Sequence, residues 1–230
     1  MRLCGLQKMT LLDYPEHVAC TVFLGGCDLR CPFCHNFELA DGSAEPVMDE
    51  EAFFLFLEKR KGLLDGVAVS GGEPCLYREL PAFLGRIRRM GYLVKLDTNG
   101  CHPQMLRQIL EEHLADRIAM DVKNSPEKYA QTTGIPGFDT APVLESIALL
   151  ASCDAEVEFR TTVVREFHDE QDFHAIGRML AGAENYFLQA FIPRDTVPDK
   201  DLHAPTSEEM HQYEQIAKRY IPNARIRGSE

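Results

Sequence analysis

Short apolar runs rich in β-branched residues alternate with amphipathic stretches from one end of the chain to the other. Val18 to Gly25 (V-A-C-T-V-F-L-G) reads as a buried strand that closes on glycine. Asp49 is placed to cap a helix reaching about Lys61, with Phe53, Phe54, Phe56 and Leu57 turned inward. Gly66 to Ser70 is a second strand, followed at once by Gly71-Gly72. Leu80, Phe83, Leu84 and Ile87 have the i, i+3, i+4, i+7 spacing of a helix that stops at Gly91. Tyr92 to Leu96 is a strand running into Asp97-Thr98-Asn99-Gly100. A helix from about Pro103 to His113 then leads to the strand Arg117 to Val122.

The second half keeps the rhythm. A loop rich in Gly and Pro, Thr132 to Phe138, precedes a helix over Val143 to Leu150. Glu156 to Val164 and Asn185 to Phe191 are strands on either side of a helix over Asp169 to Ala181. Residues 193–205, with Pro193, Pro198 and Pro205, form a loop. Thr206 then caps a last helix carrying Met210, Tyr213, Ala217 and Tyr220 on one face. No linker, low-complexity tract or repeat interrupts the series, so one domain over residues 1–230 is expected. Strand–helix alternation implies a parallel sheet with helices outside it. About six units are too few for a closed eight-fold barrel and suit an α/β fold of the partial TIM type, (βα)6, whose ligand chemistry gathers at the C-terminal strand ends.

Composition excludes several classes. With 45% hydrophobic and 26% charged residues, the chain has a globular balance rather than a disordered one. The net charge of −12 speaks against a protein that holds nucleic acid by neutralising phosphates. No apolar run reaches the roughly 20 residues of a membrane helix, and no apolar leader follows Met1. A soluble cytoplasmic protein is expected.

Cysteine changes the picture. Three of the eight crowd into Cys27-Asp28-Leu29-Arg30-Cys31-Pro32-Phe33-Cys34, directly behind the first expected strand. Cys4, Cys20, Cys75, Cys101 and Cys153 stand alone and read as small buried hydrophobes or incidental thiols. Three thiolates on one tight loop can hold three corners of a cuboidal iron–sulfur cluster and leave one metal position open. Structural zinc is the alternative, but it needs four ligands, and His35 would strain to reach an ion held by its neighbour Cys34. Gly71-Gly72-Glu73-Pro74, Asp97-Thr98-Asn99-Gly100 and Met120-Asp121-Val122-Lys123 also end strands. Each alone reads as a turn or cap; together they mark one rim of the sheet. His168, His174, His203 and His211 read as solvated positions.

Cys27-x3-Cys31-x2-Cys34, with the aromatic Phe33 before the last cysteine, resembles the signature of the radical S-adenosylmethionine superfamily. The resemblance implies a [4Fe–4S] cluster on Cys27, Cys31 and Cys34, its fourth iron chelated by the amino nitrogen and carboxylate of the cosubstrate S-adenosylmethionine. An electron from the reduced cluster would cleave the sulfonium to methionine and a 5′-deoxyadenosyl radical. Gly71, Gly72 and Glu73 resemble the superfamily's second motif, which receives the methionine amino group. The D-T-N-G and D-x-K segments resemble those of glycyl-radical-enzyme activases, where Asp97 would meet the amino group and Lys123 the carboxylate. The same resemblance assigns Asn36, Asp121, Arg160, Thr162 and Gln189 to the cosubstrate site, Arg160 and Thr162 near ribose and adenine. It assigns Asp97, Thr98, the backbone carbonyl of Met120, and Asp121 to a monovalent cation.

Leu6-Gln7-Lys8-Met9-Thr10-Leu11-Leu12-Asp13-Tyr14-Pro15, and His35-Asn36 after the third cysteine, make the chain similar to activating proteins of anaerobic ribonucleoside-triphosphate reductase. That similarity implies a glycyl-radical enzyme as partner, whose glycine Cα loses a hydrogen atom, and a flavodoxin or ferredoxin as electron donor. From charge and apolar run length, no nucleic acid and no membrane are expected as partners. No catalytic group beyond the cluster and cosubstrate contacts is legible. Three rivals stay open: a pyruvate formate-lyase-type activase, a radical S-adenosylmethionine enzyme for a small molecule (similar to 7-carboxy-7-deazaguanine synthase), and a non-catalytic zinc or iron–sulfur interaction module.

Overall fold

A computed structural model of the chain describes residues 1–228; the last two positions of the expected domain lie outside them. Eight strands form one sheet in sequence order: β1 Leu3–Thr10, β2 Ala19–Leu24, β3 Gly66–Gly71, β4 Leu93–Thr98, β5 Arg117–Asp121, β6 Glu156–Val163, β7 Tyr186–Ala190 and β8 Ala224–Arg227. β1 runs antiparallel to β2, and β2 through β8 are parallel. The helices are α1 Phe37–Ala40, α2 Glu50–Lys59, α3 Leu80–Arg89, α4 Pro103–Glu111, α5 Tyr129–Thr133, α6 Ala141–Leu150, α7 Glu170–Met179 and α8 Ser207–Lys218. Parallel neighbours in sequence order need a crossover between each pair. Crossovers of one hand put the helices on one face and the C-termini of β2 through β8 on one rim.

The partial α/β barrel has two strands more than the apolar runs predicted, one at each edge. β1 turns exposed in its second half, and β8 (A-R-I-R) is short and alternates with arginine, so neither carries a continuous apolar run. The expected loop Thr132–Phe138 begins inside α5, which ends at Gly134 in a left-handed conformation.

Period-two alternation sorts each strand between two surfaces. Cys20, Val22, Leu24, Val67, Val69, Val94, Leu96, Ile118 and Met120 face the helices and form the main core with Phe53, Phe54 and Leu57 of α2 and Phe83, Leu84 and Ile87 of α3. The Phe53 and Phe54 rings lie 5.5 and 5.3 Å from that of Phe83. Helix starts are fastened by their caps: Asp49 accepts from Ala52 N (2.8 Å), and α7 and α8 open on reciprocal capping boxes, Asp169–Asp172 and Thr206–Glu209.

The opposite surface of the same strands is the inner face, and it is rich in charge. Thr21, Ser70, Lys95, Asp97, Arg117, Asp121, Glu158, Arg160, Gln189 and Arg227 alternate with the core residues. Closed barrels of this class fill their interior with branched apolar side chains. Here Arg117 joins Glu156, and Glu158 bridges Arg227 (2.7 Å) and Lys95 (3.9 Å). The buried charges among them, Lys95, Arg117 and Glu158, persist only with partners.

Candidate active site

β2 delivers the chain to Gly25 and Gly26, where the cysteine loop begins, and the loop is pinned from four sides. Gly26 N–H donates to Leu39 O (2.6 Å) and Cys27 N–H to Ala40 O (3.1 Å), both in α1. Glu73 N–H, just past β3, donates to Gly26 O (2.8 Å). Arg30 N–H donates to Thr133 O at the end of α5 (2.9 Å), and Asp199 N–H of the 193–205 loop donates to Pro32 O (3.1 Å). Leu29, Cys31 and Phe33 enter a small apolar cluster with Val164, Phe167, Phe191, Val197 and Leu202, separate from the main core. All three cysteines line one cavity of about 420 Å³ on the inner face. A cavity of about 480 Å³ at the other end of the strands, beside Arg88, Asp116 and Cys153, gathers no comparable set of soft ligands.

Gly71 and Gly72 line the same cavity, but their lack of side chains serves another contact. A Cβ on Gly72 would lie 2.0 Å from Gly26 O, and one on Gly71, whose φ is +121°, 2.3 Å from Leu24 O. Only glycine lets the end of β3 lie backbone to backbone against the root of the cysteine loop. Glu73 sits just behind. It is 0% exposed, and its carboxylate accepts from Cys75 N (2.9 Å), Thr98 Oγ1 (2.8 Å) and Asn99 N (2.6 Å). Burial pushes its pKa up against these three donors. The carboxylate therefore clasps β3 to β4, outside the cavity lining.

Across the cavity, β4, β5 and β6 carry a single net of charges. Asp97 Oδ1 lies 2.5 Å from Lys95 Nζ and 3.6 Å from Arg160, and its Oδ2 accepts from Ser70 Oγ (2.9 Å). Asp121 accepts from Arg160 Nε (2.9 Å) and Lys123 Nζ (3.0 Å). Burial pushes both carboxyls up. Arg160 with Lys95 on Asp97, and Arg160 with Lys123 on Asp121, outweigh it and hold both below the usual carboxylate range. Burial alone would lower the Lys123 ammonium; Asp121 and the neighbouring Cys31 raise it instead. Asn36, Thr98, Thr162 and Gln189 line the cavity too. The Met120 side chain packs in the main core, so the part assigned to it rests on its backbone carbonyl alone.

The family model of the radical SAM superfamily, named for S-adenosylmethionine, matches residues 21–178. The chain belongs to the radical SAM superfamily. A Methanocaldococcus jannaschii protein assigned as a glycyl-radical enzyme activating enzyme is 32% identical over 233 aligned residues, 97% of this radical SAM chain and 94% of its own. The pyruvate formate-lyase-activating enzyme of Listeria monocytogenes is 29% identical over 74% of this chain and 72% of its own. Among solved structures, a domain of pyruvate-formate lyase-activating enzyme from Bacteroides vulgatus superposes with a TM-score of 0.57 at 21% identity, over 71% of this chain and 99% of that one. The chain is thus a radical SAM protein of the glycyl-radical enzyme activating type.

Radical SAM proteins use a [4Fe–4S] cluster with S-adenosylmethionine, and the donor set here fits that group. Among the described residues no three His, Cys, Asp or Glu side chains converge on a single ion, whereas a cuboidal cluster offers each thiolate its own iron. Burial pushes the Cys27 thiol up to about 12 and Cys31 up to about 11, and raises Cys34. The loop therefore presents neutral thiols until iron displaces their protons.

Several residues of this radical SAM site were not legible as such. Asp28 accepts from Asn99 Nδ2 (2.8 Å), pairs with His102 (3.1 Å), and joins the cysteine loop to the start of α4. His35 donates Nε2–H to Ile192 O (2.7 Å) and stacks on Phe191 at 5.6 Å. His168, expected in solvent, is buried. Val164 N–H donates to its Nδ1 (3.1 Å), which leaves Nε2–H to donate to Lys123 O (3.0 Å), and burial lowers its pKa. His174, also expected in solvent, is half-buried against Tyr220. Lys95 had one signal, a lysine in the middle of the apolar run L-V-K-L.

Proposed function

We propose that this chain binds a [4Fe–4S] cluster through Cys27, Cys31 and Cys34, cleaves S-adenosylmethionine reductively, and generates a glycyl radical on anaerobic ribonucleoside-triphosphate reductase. One observation carries the reading: three cysteines and the row Asp97, Asp121 and Lys123 line a single cavity. When bound, the cluster supplies the electron that breaks the sulfonium C5′–S bond, giving methionine and a radical that takes a hydrogen atom from the partner's glycine Cα. The Lys123 ammonium is the cation for the methionine carboxylate, and Asp97 offers its amino group an anion. Gly71 and Gly72 keep that wall free of side chains. Asn36, Arg160, Thr162 and Gln189 supply polar contacts for ribose and adenine. The apolar cluster under Leu29 and Phe33 keeps solvent, and oxygen dissolved in it, from the back of the loop, since oxygen would trap a carbon radical.

The sheet does not close, since β1 pairs with β2 and β8 with β7, so a loop of the partner enzyme has an open side from which to reach the cavity. A flavodoxin or ferredoxin of the cytoplasm is the proposed electron donor. Among the described residues no helix is long and apolar enough to cross a membrane. The reductase is favoured as partner by the segment Leu6–Pro15 and by His35-Asn36. The Listeria relative supports the same chemistry on pyruvate formate-lyase.

The test is anaerobic. Reconstituted protein, reduced with dithionite and given S-adenosylmethionine, is expected to form 5′-deoxyadenosine, and Cys31→Ala to form none. Adding the anaerobic reductase is expected to produce a glycyl-radical EPR doublet that a variant with its radical glycine changed to alanine lacks. A doublet on pyruvate formate-lyase alone moves the partner assignment. A colourless, zinc-loaded protein overturns the reading.

A further inference from the structure

The carboxylates on the rim of β4, β5 and β6 are already met by cations of the chain itself. Both oxygens of Asp97 are engaged, by Lys95 and Arg160 on one side and Ser70 on the other, and both of Asp121, by Arg160 and Lys123. The Thr98 hydroxyl is turned to the strand end, donating to the buried Glu73 carboxylate (2.8 Å) and accepting from Gly100 N–H (3.1 Å). Hard cations require several oxygen ligands at once. Of the four residues expected to surround a monovalent cation, Asp97, Thr98 and Asp121 are thus turned to partners within the chain, and an ammonium lies against Asp97 where the ion was expected.

We infer that the Lys95 ammonium is the built-in counter-cation of this rim, and that the chain binds its cosubstrate without a monovalent metal ion. The inference rests on the proposed S-adenosylmethionine site. Lys95 is 1% exposed, in the middle of β4 between the core residues Val94 and Leu96. Two-residue periodicity puts it beside Asp97 on the inner face, and the strand holds its stem as no loop would. A lysine in such a place needs a partner. It has Asp97 at 2.5 Å and Glu158 at 3.9 Å.

Charge balance supplies the reason. The carboxylates of Asp97, Asp121 and Glu158 stand against the cations Lys95, Arg160 and Lys123, with Arg227 added on the far side of Glu158. Removing Lys95 leaves Asp97 with Arg160, at 3.6 Å, as the one cation beside it in the net. An ammonium resembles a potassium ion in size and charge, and a tethered one costs no binding step and does not dissociate.

The test uses two readouts. Thallous ion, a potassium mimic, is titrated into the cluster-free protein and followed by 205Tl NMR. S-adenosylmethionine binding to the reconstituted protein is measured by anaerobic equilibrium dialysis in choline, sodium and potassium chloride at equal ionic strength. The wild type is expected to show no saturable thallous site, and a Kd for S-adenosylmethionine that is the same in all three salts within about twofold. Lys95→Met is expected to gain a thallous site, and to bind S-adenosylmethionine about tenfold more weakly in choline, with recovery in potassium. A saturable site in the wild type, or a Kd that potassium tightens beyond that twofold margin, overturns the inference. So does a folded Lys95→Met that neither binds thallous ion nor responds to potassium. If that variant fails to fold, the wild-type titrations alone decide. Failure of the wild type to bind S-adenosylmethionine in any salt would count against the proposed site, while the thallous titration would still judge Lys95.

Discussion

A cysteine becomes a metal ligand only by losing its proton, and at Cys27 and Cys31 the protein opposes that loss. With pKa values of about 12 and 11, both hold their protons more tightly folded than unfolded. The stability this gives the cluster-free protein is complete below the ordinary thiol value of about 8.5 and is lost as pH rises toward the folded values. Thiolates already bound to iron do not titrate. The melting temperatures of loaded and cluster-free protein are therefore expected to diverge above about pH 8.5, measured by anaerobic calorimetry. Glu73 is a second residue whose role is internal. Glu73→Gln turns one of its acceptor oxygens into a donor facing the donors of Cys75, Thr98 or Asn99. A loss of about 1–3 kcal/mol in urea unfolding is expected. A neutral result would remove the clasp between β3 and β4 from this account.

At the scale of elements, the site depends on how closely strand ends meet. Gly72→Ala would drive a methyl group against Gly26 O and push the cysteine loop off β3. The expected result is a protein with unchanged far-UV circular dichroism and little bound iron after reconstitution; full iron loading would mean that the loop moves without harm. Thr206→Ala is the control. It removes the cap of α8, remote from the cysteine loop, at a cost of about 1 kcal/mol, or roughly 2–4 °C in Tm for a chain of this length, with iron content intact. Most elements were legible in local pattern: continuous β-branched runs closing on glycine for β2 and β3, and an apolar spacing of three to four for α3. β1 and β8 were not, because edge strands have fewer apolar neighbours. The start of α5 was hidden because a five-residue helix leaves no period to read.

For the whole molecule, the inner face is an ionic assembly, and its pH response follows. Burial pushes the carboxyls of Asp97, Asp121 and Glu158 up. Their cationic partners, Arg160 first for the two aspartates and Arg227 for Glu158, outweigh it and hold all three below the unfolded value. Their stabilisation is fully present above about pH 4 and is lost as pH falls through the depressed folded values. Thermal unfolding is expected to show a Tm that falls steeply below about pH 4, and Glu158→Gln to flatten that slope. An unchanged slope would shift the acid lability to other carboxylates. Local order was enough to determine the strand–helix rhythm, the cysteine loop and the placing of each motif at a strand end, because these follow from neighbours two to seven residues apart. What only the tertiary structure decided is which side chains face which. Glu73 turns from the cavity into a clasp, His168 goes from solvent to the Lys123 carbonyl, and Lys95 meets Asp97 and Glu158 across the inner face. Those outcomes depend on contacts between strands far apart in sequence, and on the rule that a charge removed from water must find its partner inside the protein.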